Sequence, residues 1–176
     1  MTGVIRVDVG MRTLRLGALT VPCVIGKGGA LSAEDKREGD GATPLGTWGL
    51  CGVLLRPDRM DAALAPALPW RWLRQDDGWS DDPADPAYNR PVTLPHRFGH
   101  ERLWRDDQAY DVIVVLAHND APPQPGGGSA IFFHQWVPGA DGAPRPTEGC
   151  VAVSPEAMRD LLPLLRPTMV MEIATG

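Results

Sequence analysis

The chain lacks several features that would mark particular function classes. It has no cluster of Lys or Arg, and its 17 basic residues are outnumbered by 22 acidic ones, for a net charge of −5. That balance argues against a nucleic-acid partner and against an anionic membrane surface. No run of about 18 apolar residues is present to span a bilayer. The opening stretch Met1-Thr-Gly-Val-Ile-Arg-Val-Asp-Val-Gly10 is interrupted by charges. It has no apolar core of the kind a secretory leader carries, so no leader is read there. Of three cysteines (Cys23, Cys51 and Cys150), none forms a Cys-x-x-Cys pair, so no structural zinc site is expected. Cys23 and Cys51 stand in apolar, strand-like runs and are expected to be small buried packing residues. Gly26-Lys-Gly-Gly29 lacks the spacing of a phosphate-binding loop. Asp81, Asp82 and Asp85 alternate with prolines without the spacing of a calcium loop, and read as solvated turns.

Turn-forming residues, by contrast, are plentiful: 20 Gly and 18 Pro in 176 residues, with no repeat and no low-complexity tract. A chain of this length forms one domain with a real core, spanning 1–176, and this composition fits a turn-rich, mainly β fold. Val4–Val9 and Thr13–Leu16 alternate polar and apolar residues around Gly10, the pattern of a hairpin. Ala18–Ile25 continues as a third strand, with Pro22 marking an edge or bulge position. Gly26–Gly46 reads as a shaped loop, and Thr47–Leu55 returns to strand. Tyr110–Ala117 is the most apolar run and reads as a central strand; Ser129–Trp136 is the next. One helix is expected. Ser154 is a good N-cap, Pro155 suits the first helical position, and Met158, Leu161, Leu162 and Leu165 share a face. Pro163 ends or kinks it. Thr168–Ile173 closes the chain as a strand.

Residues 56–109 form an irregular centre holding Trp70, Trp72, Trp79 and Trp104, rings suited either to packing or to lining a groove. Tyr88-Asn-Arg90 offers a guanidinium for bidentate contact with a peptide carboxylate, or for a surface ion pair. His118 and Asn119 stand just beyond the central strand, a place where loop residues often serve function and as often serve structure.

The sharpest chemistry lies in Ser129-Ala-Ile-Phe-Phe-His134 and Pro146-Thr-Glu-Gly-Cys150-Val-Ala-Val-Ser154. A thiol needs a base to act as a nucleophile at neutral pH, and an imidazole suits that job. Gly149 permits a tight turn before the thiol, so that the Gly149 and Cys150 amides can point at one oxyanion.

A histidine followed about fifteen residues later by Ser/Thr-x-Gly-Cys resembles the signature of the L,D-transpeptidase (YkuD-like) catalytic domain. Glu148 stands where most of that family has histidine, as in a proteobacterial subgroup. The resemblance extends over Glu38–Thr47, Gly78–Arg90, Tyr110–Leu116 and His118–Asp120. It implies a mainly β, YkuD-like sandwich or barrel of mixed sheets with one or two short helices. It implies Cys150 as nucleophile, His134 as base, Gly149 in the oxyanion site, and no cofactor or metal. Thr147, Glu148, His118, Asn119, Arg90 and Tyr88 become candidates for substrate contact. The partners it implies are two peptidoglycan stem peptides, donor and acceptor. Cys150 is expected to attack an L–D peptide bond and to pass the acyl group to the side-chain amine of diaminopimelate on a neighbouring stem. The donor bond is either diaminopimelate–D-alanine or L-alanine–D-glutamate, giving a 3-3 or a 1-3 cross-link. Carbapenem inhibition, a monomer, and a place in the periplasm or cell envelope are further expectations. Three other readings compete with it: hydrolysis at the same site (an L,D-carboxypeptidase or endopeptidase), a non-catalytic wall-binding module, and a metal site from His118, His134, Glu148 and Cys150.

Overall fold

A computed structural model describes residues 3–176; Met1 and Thr2, the start of the stretch read for a leader, lie outside it. The strands are, in chain order, β1 (Val4–Asp8), β2 (Thr13–Leu16), β3 (Leu19–Val24), β4 (Ala30–Ser32), β5 (Thr43–Leu55), β6 (Trp70–Trp72) and β7 (Asp77–Ser80). Then come β8 (Pro91–Thr93), β9 (His100–Arg102), β10 (Val112–Leu116), β11 (Phe132–Gln135), β12 (Val151–Val153), helix α1 (Pro155–Leu161) and β13 (Val170–Ala174). The large sheet runs β10–β11–β12–β3–β2–β1–β13–β5, and β5 pairs with β10 as well, so the circuit closes on itself. A second antiparallel sheet, β8–β7–β9, stands apart. The protein is therefore mainly β, a barrel-like sandwich of mixed sheets with one short helix.

Local chemistry explains the main joints. The β1–β2 hairpin turns where Asp8 Oδ1 accepts the amides of Gly10 and Met11, each at 2.9 Å. Pro22 pairs with Thr13 of β2 on one side, while the other neighbour, β12, meets β3 only at Cys23 and Val24. A residue without an amide hydrogen is tolerated there because only one flank is a ladder. Strand β5 is longer than its sequence suggests. Its first part pairs with β4, its middle with β13 through Gly46–Gly49, and its end with β10 through Leu50–Leu55. The Thr-Pro-Leu-Gly stretch that resembles a turn is held extended by pairing with β4 and β13.

The large sheet separates two cores. Val112, Val114 and Leu116 of β10 face one side with Val53, Leu55, Phe133, Val151 and Val153. Against them packs α1. Ser154 caps it by accepting the Ala157 amide at 3.1 Å, and Pro155 opens it. Met158, Leu161, Leu162 and Leu165 are fully buried, a contribution of about 2 kcal/mol each before entropic costs. Pro163 converts the helix end into one tighter turn, Leu162–Leu164. The second core lies on the opposite face, where Ile113, Leu54, Phe132 and Tyr110 meet Leu73, Trp79 and Leu103 from the irregular centre. This two-sided burial is why β10 reads as a continuous apolar run.

Cys23 is buried as expected, but Cys51 is exposed: it is the extra residue of a bulge in β5, passed over where Val115 pairs with Gly52 and Leu116 with Leu50. No helix of the described residues is long and apolar enough to cross a membrane.

Candidate active site

His134 lies on β11, and Cys150 immediately precedes β12. The two strands are parallel neighbours, with Phe133 opposite Val151 and His134 opposite Ala152. Alternation along β11 sends His134 to the same face as Phe132, and Cys150 joins that second core. Both open onto a cleft of about 450 Å³ whose lining includes Glu101, Tyr110, Thr147 and Glu148.

The turn before the thiol is tightly specified. Gly149 adopts φ +142°, and a Cβ there would stand 2.9 Å from the main-chain oxygen of Ala42. Thr147 Oγ1 donates to the Cys150 carbonyl at 2.7 Å and accepts the Gly149 amide at 3.2 Å. The Gly149 N–H is thus held by threonine, whereas the Cys150 N–H makes no hydrogen bond among the described residues. Of the two amides expected to serve an oxyanion, Cys150's is free in this state, and Gly149's must be shared with or released by Thr147.

The imidazole is oriented by a main-chain carbonyl, with His134 Nδ1 2.7 Å from Gln135 O. With the proton on Nδ1, Nε2 carries the lone pair a base requires. The Cys150 thiol donates to Ala130 O at 3.2 Å and accepts the Phe132 amide at 3.3 Å. Ala130 sits at φ +52°, so the chain enters β11 through a kink that aims its carbonyl and the Phe132 amide at sulfur. That kink is also why the strand begins at Phe132 and not at Ser129. Burial, and then the charge of Glu101, push the thiol up to about 12, against the Phe132 amide and Lys36. Burial likewise brings His134 down to about 4, against its hydrogen bond to Gln135. At rest both partners are neutral.

Glu148 is exposed and paired with Lys27 at 2.8 Å, at the rim of the cleft. The remaining sequence candidates stand outside the cleft lining and form a buttress. Tyr88 donates its hydroxyl to Glu38 at 2.5 Å and accepts the Gly128 amide at 3.0 Å. Arg90 pairs with Asp120 at 2.8 Å. Asn119 Nδ2 donates to the carbonyls of Gln124 and Gly128. His118 is buried edge-on to Trp48 at 4.8 Å between ring centroids, with Nε2 against Gly127 O and Nδ1 unpartnered. Asn89, which the sequence did not single out, ties this layer to the site: its Oδ1 accepts both Trp79 Nε1 and the amide of Ala130. Trp70 and Trp72 meet edge-to-face at 5.1 Å, away from the cleft lining, while Trp79 packs against Phe132 beneath it. Sequence reasoning also missed Glu101, Tyr110 and the buried Lys36. The only signal for Tyr110 was its place at the head of the central strand. Among the described residues no group of His, Cys, Asp and Glu could hold a metal ion, so His118, His134, Glu148 and Cys150 do not converge as ligands.

Residues 2–173 match the family model described as the L,D-transpeptidase catalytic domain. No curated protein matches. Solved structures similar to this chain include an L,D-transpeptidase from Mycobacterium smegmatis, at 14% identity over 99% of this chain and 59% of that one, TM-score 0.47. Another is an Enterococcus faecium L,D-transpeptidase solved as a cysteine-to-serine mutant, at 13% identity over 99% and 50%, TM-score 0.46. A third is an L,D-transpeptidase in complex with imipenem, at 11% identity over 98% and 59%, TM-score 0.46. The chain thus spans between half and three-fifths of the length of these proteins. On the match across nearly all of its length, the chain belongs to the L,D-transpeptidase (YkuD) catalytic domain family.

Proposed function

We propose that this domain is a cysteine-dependent peptidoglycan L,D-transpeptidase with Cys150 as nucleophile and His134 as base. The observation carrying this reading is that thiol and imidazole open onto one cleft, with a backbone carbonyl fixing the ring so that one nitrogen is left basic. The step balances within these groups. His134 takes the thiol proton, and sulfur attacks the carbonyl carbon of an L-configured residue in a stem peptide. The Cys150 amide, joined by that of Gly149, receives the oxyanion; one such donor is worth about 3 kcal/mol in comparable sites. The C–N bond then breaks, the leaving amine of the D-residue takes the proton from the imidazolium, and a thioester remains. A second stem's diaminopimelate amine attacks it, gives a proton to His134, and expels the thiolate, which regains that proton. Thr147 supports this reading by bracing the turn, and Glu148 with Lys27 places a charge pair where the peptides enter.

The site belongs in the cell envelope, where its substrate is. Because a related enzyme has been solved with imipenem, a carbapenem is expected to acylate Cys150. The test is incubation of the purified protein with muropeptides and mass spectrometry of the products, with Cys150→Ala as control. Cross-linked dimers that vanish in the control establish transpeptidation, and their composition distinguishes 3-3 from 1-3 linkage. Trimmed monomers alone replace it by hydrolysis, and product persisting in the control rejects Cys150.

A further inference from the structure

The groups that fix the imidazole plane do not end at Gln135. The Tyr110 ring stands edge-to-face on His134, with centroids 5.1 Å apart and planes at 87°. Tyr110 is buried, and its ring also meets Phe132 at 6.0 Å and 79°. A ring held only by such contacts still has freedom to slide in its plane. Here its far end is tied, because the phenol hydroxyl donates to Glu101 Oε1. Glu101 belongs to β9, in the small sheet, while Tyr110 opens the approach to β10 in the large one. The Arg105 guanidinium lies over the phenol ring at 5.2 Å and is itself held by Asp107. Glu101, Tyr110, His134 and Cys150 all line the same cleft.

We propose that Glu101, acting through Tyr110, is a positioning residue for His134. The carboxylate fixes the phenol, the phenol edge fixes the imidazole plane, and the small sheet thereby sets the direction of the basic nitrogen. The inference rests on the reading of His134 as base. The arrangement has the build of a supporting shell. A carbonyl sets which nitrogen carries the proton, and a hydrogen-bonded aromatic ring sets where the other one points. Burial and the nearby carboxylates of Asp81 and Glu38 raise Glu101 to about 7. The hydrogen bond to the phenol is available in either charge state, because a neutral carboxyl retains an acceptor oxygen. The link therefore does not depend on the carboxylate remaining ionised at neutral pH.

The experiment reads the alkylation rate of native Cys150 by iodoacetamide at pH 5, where little thiolate forms without the histidine, mapped by mass spectrometry, together with kcat and KM on muropeptides. The variants are Glu101→Ala, Glu101→Gln, Tyr110→Phe and His134→Ala. A misaimed base lowers the rate of the chemical step by about tenfold, within the range caused by displacements of an ångström or less. The proposal expects Tyr110→Phe to slow alkylation and kcat by about that factor with KM within twofold, and Glu101→Ala to fall below Glu101→Gln by a similar factor, since both Glu101 variants lose the charge that raises the thiol and differ in the acceptor offered to the phenol. Glu101→Gln, whose amide oxygen still accepts the phenol, is expected to recover most of the rate. A purely structural role predicts loss of melting temperature without this split and without rescue. If His134→Ala is slowed while Tyr110→Phe matches the wild type and Glu101→Ala matches Glu101→Gln, the positioning role is overturned and the base stands. If His134→Ala itself is unaffected, the base reading falls, and this proposal with it. Should Glu101→Ala fail to fold, Tyr110→Phe against Glu101→Gln decides the matter.

Discussion

His134→Ala should change the shape of the pH profile of Cys150 reactivity, not only its height. With the thiol pushed up to about 12 and the imidazole down to about 4, neither group changes charge across the neutral range. Free thiolate at pH 7 is then about one molecule in 10⁵, rising tenfold per pH unit. Moving the proton from thiol to imidazole spans about eight of those units, or about 11 kcal/mol, between isolated partners. Two opposite charges at an ordinary contact distance of about 4 Å attract by about 4 kcal/mol at an effective dielectric of about 20, which offsets part of this. About 7 kcal/mol remains, which also corresponds to about one molecule in 10⁵. The ion pair forms without releasing a proton to solvent, so its population is independent of pH. The wild type should therefore alkylate at a flat rate below about pH 7 and climb above it, while His134→Ala climbs throughout. At pH 5 the variant should be slower by about 100-fold. The assay is pseudo-first-order iodoacetamide labelling of the folded protein between pH 5 and 9, followed on the Cys150 peptide. Two parallel profiles, both rising tenfold per unit from pH 5, would refute a histidine that takes the thiol proton.

Three further outcomes follow from the same geometry. Gly149→Ala places a Cβ 2.9 Å from the Ala42 carbonyl at φ +142°; backbone strain and overpacking together cost about 4 kcal/mol, or about 10 °C in melting temperature, and a shift under 2 °C would contradict the close approach. Unfolded histidine takes its proton near 6.5, but His134 resists down to about 4. As pH falls between those values it withdraws up to about 3 kcal/mol of stability. Glu101, raised to about 7, works in the opposite sense, so the quantity to measure is the difference in chemical denaturation between wild type and His134→Asn from pH 7 to pH 4, which should favour the variant progressively on the acid side. Finally, Cys51 is exposed and Cys23 buried and raised to about 11; a small disulfide reagent should label Cys51 in the native protein and Cys23 only on unfolding, and Cys51→Ala should retain turnover.

The parts of this molecule legible in its sequence are those whose signals are local. The capped helix after Ser154, the hairpin at Gly10 and the apolar central strand each follow from neighbours within a few residues. The thiol and the histidine stood out for the same reason: Gly149 marks a turn, and each of the two side chains adjoins an apolar run. What escaped was decided by pairing over distance. Thr43–Gly46 has the composition of a turn, yet is drawn straight because β4 and β13 flank it. Glu148 reads as a free carboxylate beside Gly149 and Cys150 until Lys27, 121 residues earlier in the chain, is found against it. Tyr88, Arg90, His118 and Asn119 have the chemistry for substrate contact, and each is also held within the protein, Tyr88 by the cleft-lining Glu38 and the others by Asp120 and the Gln124–Gly128 loop.

The second core gives the irregular centre of the chain a physical purpose. A closed sheet of parallel and antiparallel strands can place Cys150 beside His134, but only one face of it is covered by α1 and the larger core. The other face carries Cys150 and His134, and without cover it would leave Phe132, Ile113 and Leu54 in water. Residues 56–109 supply the cover through Leu73, Trp79 and Leu103, and the same segments deliver Glu101 to Tyr110 and Asn89 to Ala130. Burial of the site and alignment of its groups are therefore one event. The desolvation that keeps thiol and imidazole neutral at rest comes from the same packing that fixes the carbonyl accepting the thiol and the ring standing against His134. Loosening the small sheet should for that reason affect reactivity before it affects the barrel-like sheet, whose closed pairing does not depend on it.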